Sequence, residues 1–171
     1  MDSLLPAEMV DLAARVIAAN TARGLTVALA ESCTGGLVAA ALTEIPGSSA
    51  VVDRGFVTYS NAAKIEMLGV PEDLIDTFGA VSVAVAWSMA QGALMHSSAD
   101  LAVAITGIAG PDGGTEQKPV GTVVFAVARR GQDPDANEAE LKLFSADLGR
   151  AGVRHQAALV ALELLLPSDA P

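Results

Sequence analysis

The residues able to do chemistry crowd into one stretch of the chain, Ala30 to Lys64. It reads AESCTGG over 30–36, PGSS over 46–49 and GFVTYSNAAK over 55–64. Ser32, Cys33, Ser48 and Ser49 are candidate nucleophiles, and Tyr59 and Lys64 complete the set. Hydroxyls near a lysine suggest acyl transfer or hydrolysis in which a neutral amine takes the hydroxyl proton, with neither histidine nor metal. A second glycine-rich loop, TGIAGPDGG over 106–114, follows another apolar run. The two glycine loops read as two halves of one active site.

Each piece also has a plainer reading. Ser32 or Thr34 would cap a helix starting at Gly35 or Gly36. The functional alternative is that this turn, with Thr34 and Gly35, offers N–H groups and a helix dipole to an anion or oxyanion. Glu31 would then orient a hydroxyl or a sugar. The PGSS serines sit in a turn, where serine is ordinarily solvated, and neither is a nucleophile without a base. A lysine is ordinarily a surface charge. Lys64 serves as a base only if burial lowers its pKa, which its place near a helix start would assist. TGIAGPDGG is neither GxGxxG nor a P-loop ending in GK[ST], so a dinucleotide or triphosphate reading is weak. Its main-chain N–H groups, Gly107 and the Thr106 hydroxyl could still line a pocket. Cys33 has only His96 and His155 as possible bases, both in predicted helices, and no His/Cys/Asp spacing fits a metal. Arg150 and Arg154 share one face of the closing helix, either solvated or as a phosphate clamp.

The elements that must position these groups follow from periodicity and punctuation. Helices are expected over 7–23, from Gly35 to Thr43, over 61–68 and 71–78, from a Ser82 cap to about Ser97, and from Gly149 to Leu166. Strands are expected over 25–31, 51–59, 100–107, 121–129 and 139–145, and the tail PSDAP should fray. Alternating helices and apolar strands predict an α/β domain, a three-layer α/β/α sandwich with a mixed, largely parallel sheet. Strands 121–129 and 139–145 should form a hairpin. The loops after residues 31, 59 and 106 fall at strand carboxyl ends, where such sheets bind ligands.

Composition bounds the rest. The 171 residues suit one domain, 1–171, and 51% hydrophobic with 18% charged residues describes a globular chain. Aromatics are only 4%, so the core is built from Ala, Val, Leu and Ile. A net charge of −10 argues against nucleic acid. No run approaches the about 18 apolar residues of a membrane span, and no export leader is evident. One cysteine suits a reducing cytoplasm. The low aromatic and high Ala and Val content leaves room for a self-association face, so a homo-oligomer is expected.

Together the segments resemble the CinA C-terminal-domain family, the nicotinamide-nucleotide amidohydrolases. The matching text is AESCTGG (30–36), PGSSAVVDRGFVTYSNAAK (46–64), LGV (68–70), GAVS (79–82), ITGIAGPDGG (105–114), KPVGTVVFA (118–126) and RAGVR (150–154). The resemblance implies hydrolysis of the carboxamide of nicotinamide mononucleotide, giving nicotinic acid mononucleotide and ammonia, with no cofactor. It implies roles for Ser32, Ser49, Tyr59, Lys64 and Thr106, with an arginine of the closing segment. Relatives commonly read DR before the xxVR run, where this chain has DLGR over 147–150. The residues themselves leave open which serine Lys64 activates. They also leave open a silent nucleotide-binding partner, linked to competence or DNA damage, and a Ser–Lys amidase for another amide.

Overall fold

The computed structural model describes residues 3–167. Five strands form one sheet in the order β2-β1-β3-β4-β5: β1 (Val27–Glu31), β2 (Val52–Val57), β3 (Leu101–Gly107), β4 (Thr122–Arg129) and β5 (Glu138–Leu143). β1 pairs in parallel with β2 and β3, while β4 is antiparallel to both β3 and β5. All strands but β4 therefore run the same way, and the expected mixed sheet and 4–5 hairpin are both present. The helices are α1 (Ala7–Arg23), α2 (Leu37–Thr43), α3 (Asn61–Leu68), α4 (Glu72–Phe78), α5 (Val83–Met95) and α6 (Gly149–Leu164). Residues 168–171 of the tail expected to fray lie outside the described residues.

The period of two along the strands sorts side chains by size as well as by face. Val27, Leu29, Val103, Ile105, Val123 and Phe125 meet α1, α2 and α6 in one core. Ala28, Ala30, Ala102, Ala104, Ala126 and Ala128 face the other layer, α3, α4 and α5. Alanine on that face lets α5 lie close to the sheet, and its own Ala86, Ala90 and Ala93 continue the pattern. α5 also approaches α3: a Cβ on Gly92 would stand 2.0 Å from the Leu68 carbonyl oxygen. That close approach fixes α3, and with it Lys64, against the sheet.

α2 begins two residues later than the sequence suggests. Gly35 and Gly36 have φ of 60° and 95°, left-handed values that a right-handed helix cannot continue. The segment 32–36 is therefore a tight turn that carries Ser32 at its head. Ser82 caps α5 as expected, accepting from Val85 N at 3.3 Å.

Candidate active site

Ser32 is the first residue past β1. Its N–H donates to the Ile105 carbonyl at 2.9 Å, which extends the β1–β3 pairing by one residue and pins its backbone at the carboxyl edge. Lys64 comes from the opposite wall. Ser60 caps α3 by accepting from Ala63 N at 3.0 Å, which starts the helix just after β2 and turns Lys64 inward. Lys64 is the largest fully buried side chain, 1% exposed. Its Nζ donates to Ser32 Oγ at 3.1 Å, to the Thr58 carbonyl at 2.8 Å and to the Tyr59 carbonyl at 3.3 Å. Burial pushes the ammonium below the usual lysine range. In the neutral amine the two remaining hydrogens still satisfy the two carbonyls, and the lone pair falls toward Ser32.

This pair opens on a cavity of about 270 Å³. Cys33, Tyr59, Asn61, Ala80, Val81, Thr106, Gly107, Ile108, Ala109, Gly110, Asp112, Gly113 and Arg150 form the rest of its wall. Thr106 Oγ1 donates to the Ala80 carbonyl at 2.8 Å and so ties β3 to the segment before α5. Arg150, from the first turn of α6, crosses the mouth. It donates to the Gly110 carbonyl and to Tyr59 Oη, both at 2.7 Å. In the TGIAGPDGG loop the N–H groups of Ala109, Gly110, Asp112 and Gly113 have no protein acceptor among the described residues. These are donors available to a developing oxyanion or a phosphate.

Ser32, Tyr59, Lys64, Thr106, Gly107 and Arg150 thus meet in one place. Other expected site residues do not. Ser48 and Ser49 lie in a short turn, Ser48–Ala50, just ahead of β2. β2 is parallel to β1, so this turn sits at the amino edge of the sheet, where Val51 O accepts from Val27 N at 2.8 Å. The length of β2, about 20 Å, separates it from the pocket. Neither serine lines the cavity, and Lys64 contacts Ser32 instead. Thr34 and Gly35 are also absent from its wall. Thr34 is fully buried, and Gly35 turns its N–H back to Ser32 O at 3.0 Å. The α2 N-terminus offers nothing to a ligand because Glu31 already occupies it. The Glu31 carboxylate accepts from Gly36 N at 3.0 Å, Val38 N at 3.2 Å and Ala39 N at 2.9 Å. Arg154 lies behind the turn, donating to the carbonyls of Cys33 and Thr34 at 3.1 Å each. A two-arginine clamp in the pocket is therefore not formed.

Two wall residues with polar side chains escaped the sequence reading, Asn61 and Asp112. Asn61 stands one helical turn before Lys64, and that spacing was the available signal. Asp112 belongs to the glycine loop already singled out. Cys33 also reaches the wall, but burial pushes its thiol up to about 11, so it stays protonated.

Fold and cleft define a class: three-layer α/β/α domains that hold a serine–lysine pair at the carboxyl ends of their parallel strands. The profile of the CinA C-terminal domain matches residues 9–168, and the chain belongs to that family. It is 54% identical over 159 residues to the nicotinamide-nucleotide amidohydrolase PncC of Escherichia coli K12, covering 92% of this chain and 93% of that one. A protein of Symbiobacterium thermophilum named for competence and damage induction is 55% identical over 148 residues, but the chain spans only 34% of its length. The crystal structure of the competence/damage inducible protein CihA from Agrobacterium tumefaciens superposes with a TM-score of 0.90 at 52% identity, covering 95% of this chain and 96% of that one.

Proposed function

We propose that this protein hydrolyses the carboxamide of nicotinamide mononucleotide to nicotinic acid mononucleotide and ammonia, with Ser32 as nucleophile and Lys64 as general base. The observation that carries the reading is the buried Lys64 Nζ, 3.1 Å from Ser32 Oγ, with its other hydrogens held by two carbonyls. Neutral Lys64 takes the Ser32 proton as Oγ attacks the carboxamide carbon. The oxyanion is held by free N–H groups of the TGIAGPDGG loop, each worth about 3–4 kcal/mol in comparable sites. Collapse breaks the C–N bond, and Lys64 returns the proton to the departing ammonia. Water then attacks the Ser32 ester, again deprotonated by Lys64, and the proton goes back to Ser32. Arg150 is the cation placed for the phosphate, with Tyr59 orienting its guanidinium, and Thr106 and Gly107 shape the floor.

The relatives named for this reaction, which match almost end to end, support the substrate. The chemistry serves pyridine-nucleotide recycling in the cytoplasm. The exposed Leu141 and Leu143 on edge strand β5 supply a face for a homo-oligomer. The test is ammonia release by the purified protein from nicotinamide mononucleotide, beside free nicotinamide and the dinucleotide. Release from the mononucleotide first and foremost is the expected result. Its absence, or preference for an unrelated amide, overturns the reading.

A further inference from the structure

We propose that Glu31 and Arg154 are positioning residues that grip the Ser32 turn from its two sides, and that Arg154 is not a ligand of the substrate. The inference rests on the reading of Ser32 as the nucleophile. Glu31 is fixed first: it ends β1, the strand flanked on both sides, with Val57 and Ile105 as its neighbours. Glu31 is 1% exposed, and its carboxylate makes no ion pair among the described residues. Its partners are the three N–H groups of Gly36, Val38 and Ala39, so the strand holds the start of α2 through one side chain. Only residues 32–35 bridge the strand and that anchored helix. Arg154 holds the carbonyls of two of them, Cys33 and Thr34.

The turn is thus gripped at its end by Glu31 from the sheet, through the N–H of Gly36 and those of Val38 and Ala39 in α2, and at its C=O groups by Arg154 from α6. A carboxylate and a guanidinium are the two side chains that match those groups, since one only accepts and the other only donates. Glycine suits position 35 because its φ of 60° is left-handed; a Cβ there would meet Arg154 Nη2 only at an ordinary 3.5 Å. Among the described residues Lys64 is the one hydrogen-bond partner of the Ser32 hydroxyl, so its alignment depends on its backbone. α6 then serves the site twice. Arg150 reaches into the cavity, and Arg154, on the same helix face, reaches behind the wall.

A misplacement near 1 Å can lower a rate by about 100-fold without touching substrate binding. Arg154→Ala and Glu31→Gln are therefore expected to lower kcat on nicotinamide mononucleotide by about that factor, with KM within about twofold of wild type. Glutamine keeps the shape of Glu31 but turns an NH2 toward backbone N–H groups. Guanidinium added at millimolar concentration should restore part of the kcat of Arg154→Ala, whereas Arg154→Lys should recover less than half of the loss. An increase in KM at unchanged kcat would make Arg154 a substrate ligand and overturn the proposal. Unchanged kcat with only a lower Tm would make both residues merely structural and overturn it equally. A fluorophosphonate probe that labels Ser32 needs no nucleotide, and its labelling rate should fall in the same variants. Wild-type labelling at Ser32 without mononucleotide hydrolysis would refute the proposed substrate while the slower labelling of Arg154→Ala still supported the grip. Equal labelling rates in wild type and Arg154→Ala would defeat it.

Discussion

Two glycine-rich turns leave the carboxyl edge of the sheet, and they have opposite fates. In SCTGG most of the backbone is held by the protein: Ser32 N donates to Ile105 O, Gly35 N to Ser32 O and Gly36 N to Glu31, and Arg154 takes the Cys33 and Thr34 carbonyls. In TGIAGPDGG the ends are tied, with Ile108 N donating to Thr122 O at 2.8 Å and Thr115 N to Lys118 O at 2.8 Å, but the middle is left open toward the cavity. Glycine in the first turn permits a left-handed bend that aims a side chain. Glycine in the second leaves main-chain donors bare. Glycine content marks both turns, and how much of each backbone the protein itself holds separates a scaffold from a binding surface.

The sharpest break of this comparison is to remove the side chain that the proposed mechanism makes the base for the first turn. Lys64→Ala should lower kcat by about 10²–10⁴-fold, the range for loss of a general base, with the fold retained as judged by circular dichroism. Activity within tenfold of wild type would separate the SCTGG turn from catalysis altogether. The wild-type pH profile sharpens the same point. In the proposed mechanism the neutral amine is the active form, so kcat/KM should rise with pH on an acid limb lying below the ordinary lysine range. Stability follows the same sign. The folded pKa is the lower one, so between the two values the unfolded chain binds more protons, and stability should rise with pH across that window. Lys64→Met should flatten that rise in denaturation midpoints.

A paired substitution then tests the two turns against each other. Gly110 has φ of 84°, and a Cβ on it would stand 2.6 Å from Val120 Cγ1. Gly110→Ala must shift the loop and its donors, and kcat should fall by about 100-fold. At Gly35 a Cβ meets Arg154 at an ordinary 3.5 Å. Gly35→Ala should therefore show mainly a loss of stability, about 1–2 kcal/mol for the left-handed backbone, with kcat down less than about tenfold. Equal kcat losses would erase the distinction between the turns.

How far the sequence could reveal this difference is clear from particular residues. Ser32, Lys64 and the glycine loop were legible, because strand ends and helix starts could be placed within a few residues and lie at one edge of a parallel sheet. The strand boundaries alone also put Ser49 ahead of β2, at the far edge; the family resemblance outweighed that topological fact. Glu31 was not legible. Helix caps usually reach two or three residues ahead, whereas Glu31 reaches Gly36, Val38 and Ala39 across two left-handed glycines. Arg154 was ambiguous for a different reason. Periodicity assigns it the face of Arg150, but which of two arginines meets a cavity and which meets backbone depends on the turn packed beneath.

A smaller effect is expected at the mouth. Arg150 is charged, half-engaged and open to the cavity, so its loss should weaken substrate binding more than turnover. One charge-assisted hydrogen bond of about 2 kcal/mol corresponds to a KM about 30-fold higher in Arg150→Ala. A variant with unchanged KM and lowered kcat would move Arg150 into the same positioning role as Arg154.

The smallest expected effect belongs to Cys33, the place where the two turns touch. A Cβ on Gly107 would come within 3.0 Å of Cys33 Sγ, so the thiol fills the gap between SCTGG and the root of the second loop. With its pKa pushed up to about 11 by burial, the thiolate fraction at neutral pH is about 10⁻⁴, and alkylation by iodoacetamide should run about 300-fold slower than for a free cysteine. Cys33→Ala removes only a small buried group and should leave kcat/KM within about threefold. Fast alkylation or a kcat/KM loss beyond about 100-fold would turn Cys33 from a packing contact into a participant. The nucleophile would then have to be sought one residue further along the same turn.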